Sequence, residues 1–268
     1  MAEAPELIPA VDGDETVLVE RRGNVLIVRF NRPEARNAVN GPLARGVEAA
    51  IDMLDSDPAL WVGVITGTRE FFSAGADLKL INAGRAGEMT TERGGFGGLV
   101  VRERVKPLIA AVEGPALAGG LEMALACDMV VASRSSRFGI PEVKRSLLAG
   151  AGGLVRLPRA LPRNVAFEMA MTGDPIDAER AYQLGLVNVL TEPGAALEGA
   201  LGLAERVSAN APVAVQRSRA LLVELRHADD REGIRRSAEE MVGLFTTEDF
   251  SEGLTAFIEK RPPRWKGR

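Results

Sequence analysis

The chain has 268 residues, of which 46% are hydrophobic, and a formal net charge of −4 at pH 7. This length supplies one substantial hydrophobic core and is too short to assume two. The negative charge gives no general basic surface, which argues against nucleic acid as the main partner and favours a small-molecule ligand.

The chain begins with an acidic segment, residues 1–14. It contains neither the basic stretch nor the apolar core of a secretory signal. The longest apolar region, residues 107–132, is interrupted by Glu113, Glu122 and Asp128, so it does not predict a membrane span. We therefore expect a soluble cytoplasmic protein, and the excess of Arg over Lys is typical of a GC-rich bacterial genome.

The first half of the chain alternates strands and helices. Residues 16–20 and 24–30 predict a hairpin, a helix is expected from Asn40 to about residue 54, and residues 61–66 predict the next strand. Residues 82–98 are rich in Gly, Arg, Glu and Thr, which predicts a surface loop or weak helix. Residues 107–112, 119–127 and 128–132 then predict strand, helix and strand. This order favours a mostly parallel, layered α/β core.

From about residue 162 the pattern becomes helical. Helices are predicted over residues 163–171, 177–184, 194–209, 212–226, 230–245 and 251–259. They form either a second layer or an oligomerisation region, and apolar clusters such as Leu221 with Leu222 and Met241 with Val242 are interpreted as core faces. We divide the chain into an acidic leader (1–14), an α/β core with the active site (15–200) and a C-terminal helical region (201–268).

Two single residues limit the chemistry. Cys127 is the only cysteine, so an internal disulfide is excluded, and its apolar surroundings predict a structural thiol. His227 is the only histidine and lies among charged residues, which predicts a solvated helix end. One cysteine and one histidine are too few ligands for a zinc site built from Cys and His, and no metal site is expected.

Two turns of small residues follow buried strands. In the first, residues 73–79, small side chains let a ligand approach main-chain N–H groups closely, although an ordinary strand-to-helix turn explains it equally well. In the second, residues 113–122, Gly119 lies at a helix start, where free N–H groups favour a developing anion. Glu122 falls in the first turn of that helix and either acts chemically or complements the helix dipole.

Glu142 lies in a short, mostly apolar segment beside Pro141. A carboxylate in apolar surroundings has an increased affinity for protons, which suits a general acid. The alternative is an exposed residue or an ion-pair partner of Lys144 or Arg145.

Together these segments resemble the crotonase superfamily, the enoyl-CoA hydratase and isomerase group. The resemblance runs from about Val17 to the C-terminus. It rests on Arg32-Pro33 with Asn37-Ala38, the Ser73–Asp77 turn, Gly119-Gly120 with Glu122, Pro141-Glu142, the Gly150–Gly153 segment, Met171-Thr172-Gly173, Glu252-Gly253 and the segment 257–261. So many motifs in order make chance agreement negligible. The resemblance implies an α/β crotonase fold, a spiral of ββα units, with a C-terminal helical trimerisation region.

The resemblance also implies a reaction and a division of labour. The backbone N–H groups of Ala76 and Gly119 would form the oxyanion hole for a thioester carbonyl. Glu122 and Glu142 match the two acids that, in the hydratases, hold one water between them. One acid activates the water for attack at Cβ and the other supplies the proton to Cα, whereas the family's isomerases need only one acid. The pair therefore favours an enoyl-CoA hydratase, a hydro-lyase.

No separate cofactor is expected, since coenzyme A is part of the substrate. By resemblance, backbone around Ala74, Gly75, Asp77, Leu78 and Lys79 would hold the CoA portion. Arg36 and Lys79 are candidate cations for its phosphates, although both are equally well read as surface charges. The family's homotrimers and dimers of trimers imply that Phe257 and Lys260 line a neighbouring subunit's site. We expect an acyl-CoA substrate and neither nucleic acid nor membrane as a partner.

The chain departs from the family pattern at several positions. Ala118 stands where many relatives have a third glycine, Ala149 stands where many have proline, and Leu154-Val155 replaces a frequent polar pair. The last five residues resemble carnitinyl-CoA dehydratase-like members. These differences leave the acyl group open. They also leave open a double-bond isomerase, a carnitinyl-CoA dehydratase-like enzyme, a CoA-thioester hydrolase, or a CoA-binding or RNA-associated protein with little turnover.

Overall fold

The computed structural model describes residues 7–268. Residues 1–6 of the expected leader lie outside the described residues. The strands are β1 (Ile8–Val11), β2 (Asp14–Arg22), β3 (Val25–Phe30), β4 (Val62–Thr66), β5 (Thr90–Thr91), β6 (Gly95–Phe96), β7 (Leu108–Val112), β8 (Pro115–Leu117), β9 (Met129–Ser133), β10 (Arg137–Gly139), β11 (Ile176–Asp177) and β12 (Val189–Thr191).

The helices follow the order expected from the sequence, with two additions, α2 and α4. They are α1 (Gly41–Ser56), α2 (Leu78–Asn82), α3 (Gly119–Ala126), α4 (Gly153–Ala160), α5 (Arg163–Thr172), α6 (Ala178–Gln183), α7 (Ala196–Ser208), α8 (Pro212–Glu224), α9 (Asp230–Leu244) and α10 (Glu248–Glu259). Short 3-10 turns cover Pro33–Ala35, Ala86–Met89, Pro141–Arg145 and Leu225–His227. Within residues 7–268 no helix has the length and apolarity needed to cross a bilayer.

A seven-stranded sheet, in the order β1-β2-β3-β4-β7-β9-β12, organises the fold. The first three strands pair antiparallel and the rest pair parallel. A smaller sheet, β11-β10-β8, lies beside it and is parallel between β8 and β10. The predicted mostly parallel α/β core is confirmed.

The central strands are buried on both faces, and side chains alternate between two clusters. On β3, Leu26 and Val28 face one cluster while Val25 and Ile27 face the other. A strand places successive side chains on opposite faces, so an unbroken apolar run serves both layers. Helix α1 covers the first face and α7 the second. The expected boundary at residue 201 falls inside α7, which is part of the layered core.

The segment at residues 82–98 is not a free surface loop. It contains a 3-10 turn and the β5–β6 hairpin, and it packs on α1. A Cβ added to Gly98 would lie 2.0 Å from the carbonyl oxygen of Ala44, and Thr91 Oγ1 donates to Glu48 at 2.6 Å. Glycines that allow close backbone packing resemble loop glycines in sequence, which is why the docking was missed.

The interpretation of the C-terminal apolar clusters as core faces is wrong for four side chains, one of which, Phe245, belongs to the same cluster as Met241 and Val242. Leu222 is 78% exposed, Val242 62%, Met241 53% and Phe245 47%. Helices α8 and α9 pack mainly on each other, so these side chains have no covering layer among residues 7–268. Helical spacing reports an apolar stripe and does not say what covers it.

The expectations for the two single residues agree with the structure. Cys127 is half-buried, and burial raises the pKa of its thiol to about 12, which keeps it protonated and unreactive. His227 is exposed at the end of a 3-10 turn.

Because the α1 face is close-packed, we expect Leu54→Ala to lower the free energy of unfolding by about 3 kcal/mol. Leu54 is fully buried between α1 and the sheet. Leu54→Met, which conserves volume, should cost less than about 1.5 kcal/mol. Urea unfolding followed by circular dichroism measures both, and equal costs for the two variants would contradict the assignment of Leu54 to the core.

Candidate active site

The first small-residue turn is fixed by a buried asparagine. The Asn37 amide donates to the carbonyls of Phe71 (2.8 Å) and Phe72 (3.2 Å). Ser73 Oγ donates to the carbonyl of Asn37 at 2.8 Å and accepts the N–H of Gly75 at 3.1 Å. Asn37 and Ser73 are both fully buried, so this network holds the turn in one conformation.

The N–H of Ala76 points away from this network. Ala76 forms a parallel bridge with Val39, in which Val39 bonds the carbonyl of Gly75 and the N–H of Asp77. In such a bridge the middle residue directs its own N–H to the opposite side. No protein acceptor takes the Ala76 N–H among the described residues.

The second turn lies directly against the first. A Cβ added to Gly75, whose φ is +88°, would be 2.7 Å from both the Cβ of Ala118 and the backbone nitrogen of Gly119. Gly119 is the first residue of α3, where an N–H has no acceptor within the helix. The structure therefore brings together two backbone N–H donors, those of Ala76 and Gly119, at the positive end of α3.

Ala118 adopts a backbone conformation that favours glycine. Its φ is +52° and its ψ is −129°. Its N–H bonds the carbonyl of Gly139, and its carbonyl accepts the N–H of Glu122, so both sides of the residue are fixed. An L-residue in such a conformation is strained by about 1–3 kcal/mol.

Glu122 is buried in the first turn of α3 and is 3% exposed. Burial raises its pKa, while the N–H groups of Gly153 and Ala151 and the charge of Arg156 act in the opposite direction. Gly153, at the start of α4, donates to Glu122 Oε1 at 2.7 Å. The carboxylate is thus held by backbone donors at a second helix start.

Glu142 lies in the 3-10 turn that follows β10, and it is half-buried. Burial is the main cause that raises its pKa to about 7, and the charge of Glu122 adds to it. Its Oε2 is buried without a hydrogen-bond partner in the protein. Buried polar atoms are nearly always paired, so an unpaired carboxyl oxygen beside a second carboxylate is available to a reacting group.

All these groups meet at one cleft with a volume of about 1350 Å³. Of the residues that the sequence suggested, it is lined by Arg36, Ala74, Ala76, Asp77, Leu78, Lys79, Gly119, Glu122 and Glu142. Gly75 lies just beneath the lining, packed against Ala118. The guanidinium of Arg36 sits 5.3 Å from the ring of Phe71, and both Arg36 and Lys79 are exposed at the cleft.

The side chains of three residues that the sequence suggested are not free to bind substrate in the cleft of their own chain. The carboxylate of Asp77 is occupied, because it accepts the N–H of Lys79 at 3.1 Å and pairs with Arg32 at 3.3 Å. Phe257, which is 84% exposed, and Lys260 lie at the end of α10 and do not line the cleft of their own chain.

Sequence reasoning missed part of the lining. The ring of Phe96 covers Gly119, where an added Cβ would meet its Cε1 at 2.4 Å. Arg156 lies on α4, a helix that was not predicted because it begins in a glycine run and contains Pro158. The start of α4 is stabilised because the N–H of Gly153 donates to the buried carboxylate of Glu122. Glu122 reaches this position only in the folded chain.

Comparisons with known proteins show the family of the chain. Residues 20–268 match the family model described as enoyl-CoA hydratase/isomerase. An enoyl-CoA hydratase of Mycobacterium tuberculosis is 39% identical over 96% of this chain and 99% of its own, and a 2,3-dehydroadipyl-CoA hydratase of Escherichia coli is 37% identical over 94% and 99%. A crystal structure of an enoyl-CoA hydratase from M. tuberculosis superposes with a TM-score of 0.91 at 49% identity, covering 94% of this chain and 99% of that one.

We expect Ala118→Gly to raise the free energy of unfolding by about 1 kcal/mol, because glycine relieves the positive φ. Ala124→Gly is the matched control. It makes the same chemical change inside α3 at a buried, ordinary helical position, where it should lower stability by about 1 kcal/mol or more. Urea denaturation measures both, and a loss of stability in Ala118→Gly would contradict the strain.

Proposed function

The chain belongs to the enoyl-CoA hydratase/isomerase family and is an enzyme of the hydratase type, and we propose that this cleft is its active site. There it reversibly adds water across the α,β double bond of an acyl-CoA thioester. The observation that supports this best is the meeting of two carboxyl groups, Glu122 and Glu142, with the two free N–H donors of Ala76 and Gly119.

In this proposal the donors bind the thioester oxygen. Attack of water at Cβ pushes the electrons of the double bond toward the carbonyl, so negative charge develops on that oxygen. Two backbone donors fixed beside the start of α3 stabilise this enolate without reorganisation, by roughly 3 kcal/mol per donor. The Asn37 and Ser73 network keeps the first donor in position.

The two carboxyl groups divide the proton transfers. The N–H groups of Gly153 and Ala151 stabilise the carboxylate form of Glu122 against the effect of burial, and in this proposal Glu122 removes a proton from water as the oxygen bonds Cβ. Glu142, with a pKa of about 7, holds a proton near neutrality and delivers it to Cα as the enolate collapses. In dehydration each group performs the reverse transfer.

The CoA portion lies along the first turn in this proposal. Backbone of Ala74, Gly75, Asp77 and Leu78 flanks the thioester, and Asp77 keeps the turn in place through its bonds to Lys79 and Arg32. Arg36 and Lys79, exposed at the same end of the cleft, bind the phosphates as fixed positive groups. The substrate itself supplies coenzyme A.

We also propose that the chain assembles as a homotrimer or a dimer of trimers. Phe257 is 84% exposed and its neighbour Ile258 78%, and large apolar side chains that are exposed next to each other often mark a protein–protein interface. Contact of α10 with a neighbouring subunit would bring Phe257 and Lys260 toward that subunit's cleft.

The test of the reaction is loss of the conjugated-bond absorbance of crotonyl-CoA and longer enoyl-CoA thioesters. We expect Glu122→Gln and Glu142→Gln each to lower kcat by about 10²- to 10⁴-fold, because each removes one proton-transfer group. Binding of butyryl-CoA, which lacks the double bond, should change little. Glu205→Gln, at an exposed position outside the cleft, is the control and should hydrate as the unaltered enzyme does. Full turnover in Glu142→Gln would refute the two-acid mechanism.

The pH profile tests the assignment of Glu142 as the acid. Its pKa is raised from 4.5 to about 7, so the protonated form is present below pH 7 and is lost as the pH rises through that value. We expect kcat/KM for hydration to fall above about pH 7, and the residual activity of Glu142→Gln to lack this fall. A descending limb that persists in Glu142→Gln would assign it to another group.

A further inference from the structure

Besides Arg32 and Arg36, four arginines line the cleft: Arg145, Arg156, Arg159 and Arg226. We call them the arginine wall. Among residues 7–268, none of the four has a carboxylate within ion-pairing distance, whereas Arg32, elsewhere in the cleft, pairs with Asp77 at 3.3 Å. Unpaired positive charge that faces a cavity is a binding surface for an anion.

The arginine wall lies near Glu122 and on elements other than the first small-residue turn. The thioester oxygen belongs at the Ala76 and Gly119 donors, and Glu122 comes next along the cleft. Glu122 accepts from Gly153, and Arg156 lies one turn further along the same helix, α4. The candidate phosphate-binding cations, Arg36 and Lys79, belong instead to the elements around the first turn. The two groups of cations therefore serve different parts of the substrate.

Arg156 is the half-buried member of the arginine wall. Its guanidinium donates to the backbone carbonyls of Ala151 and Val100, which fixes its position, and it forms no salt bridge with a carboxylate of the described residues. Burial lowers its pKa and the charges of Arg226, Arg104 and Arg159 lower it further, whereas the charge of Glu122 acts in the opposite direction. The arginines therefore lie close enough to repel one another, and Glu122 offsets only part of this repulsion. A bound anion would relieve this repulsion in a partly desolvated place, where charge pairing is strongest.

We propose that the preferred substrates are enoyl-CoA thioesters whose acyl chain ends in a carboxylate, and that the arginine wall binds this distal carboxylate. The inference rests on the proposed hydratase function and names its substrate class. An adjoining apolar pocket of about 540 Å³, lined by Val143, Phe167 and Met171 among others, offers an uncharged chain another place. An uncharged acyl chain in that pocket would leave the positive charge of the arginine wall uncompensated. For this reason we expect an acyl chain that ends in a carboxylate to be preferred.

Binding is measured first, with saturated thioesters that cannot react. Calorimetry compares adipyl-CoA with hexanoyl-CoA, which have the same chain length and differ in the terminal carboxylate. We expect adipyl-CoA to bind about tenfold more tightly at low ionic strength, with the advantage shrinking at about 0.5 M salt because salt screens exposed charges. Equal binding, or tighter binding of hexanoyl-CoA, would overturn the proposal even if the chain hydrates enoyl-CoA.

The double variant Arg159→Ala with Arg226→Ala tests whether the arginine wall binds the distal carboxylate. Both side chains are exposed, so the fold should tolerate the changes. We expect the adipyl-to-hexanoyl affinity ratio to fall about tenfold, and the ratio of kcat/KM for the matching 2-enoyl substrates to fall with it. Arg231→Ala, which removes an exposed arginine outside the cleft, should leave both ratios unchanged.

The two proposals fail in different ways. Selective binding of adipyl-CoA without turnover of any enoyl-CoA would refute the hydratase function and leave the carboxylate site standing. Turnover of both substrates with a ratio that the double variant does not change would refute the arginine wall alone.

Discussion

The close contact between two backbone turns is the constraint on which the site depends. Gly75 meets Ala118 and Gly119 so closely that no side chain fits between the turns. This contact points the N–H groups of Ala76 and Gly119 into the same cleft. It also fixes where α3 begins, and the start of α3 fixes Glu122. The strain at Ala118 is the conformational cost of this arrangement, and the bonds to Gly139 and Glu122 hold the residue in place.

The two glutamates differ because their surroundings differ. Both lose water on burial, which raises the pKa of each carboxyl. Backbone N–H groups at the start of α4 offset part of this effect at Glu122, because they stabilise its carboxylate. One oxygen of Glu142, in contrast, has no hydrogen-bond partner in the protein. The charged forms of the two carboxyl groups are therefore stabilised to different degrees, and the proposed division between a base and an acid depends on this difference.

The arginines that line the cleft also differ in their surroundings. Asp77 neutralises Arg32 and thereby holds the first turn, so this pair is used for positioning. The arginine wall forms no salt bridge with a carboxylate of the described residues, and α4, which contributes Arg156, also supplies the donor that holds Glu122. The proposed base and the proposed carboxylate-binding surface would therefore be coupled through one short helix.

The sequence by itself determined the α/β core and most of its elements, because apolar periodicity and β-forming runs reflect local burial. It also indicated Ala76, Gly119, Glu122 and Glu142, because the segments that contain them, taken together, resemble the crotonase superfamily, although each segment alone has an ordinary structural explanation. Tertiary structure alone decided that these groups share one cleft, since Gly75 and Gly119 meet only after the sheet has formed.

Other features also required the folded chain. Helix α4 was missed because a glycine run and Pro158 resemble a loop in sequence, while its start is stabilised by the distant Glu122. The apolar stripes of α8 and α9 looked like core faces because spacing records amphipathicity and not the partner. The raised pKa of Glu142 and the unpaired charge of Arg156 depend on desolvation and on distant neighbours, which no local pattern encodes.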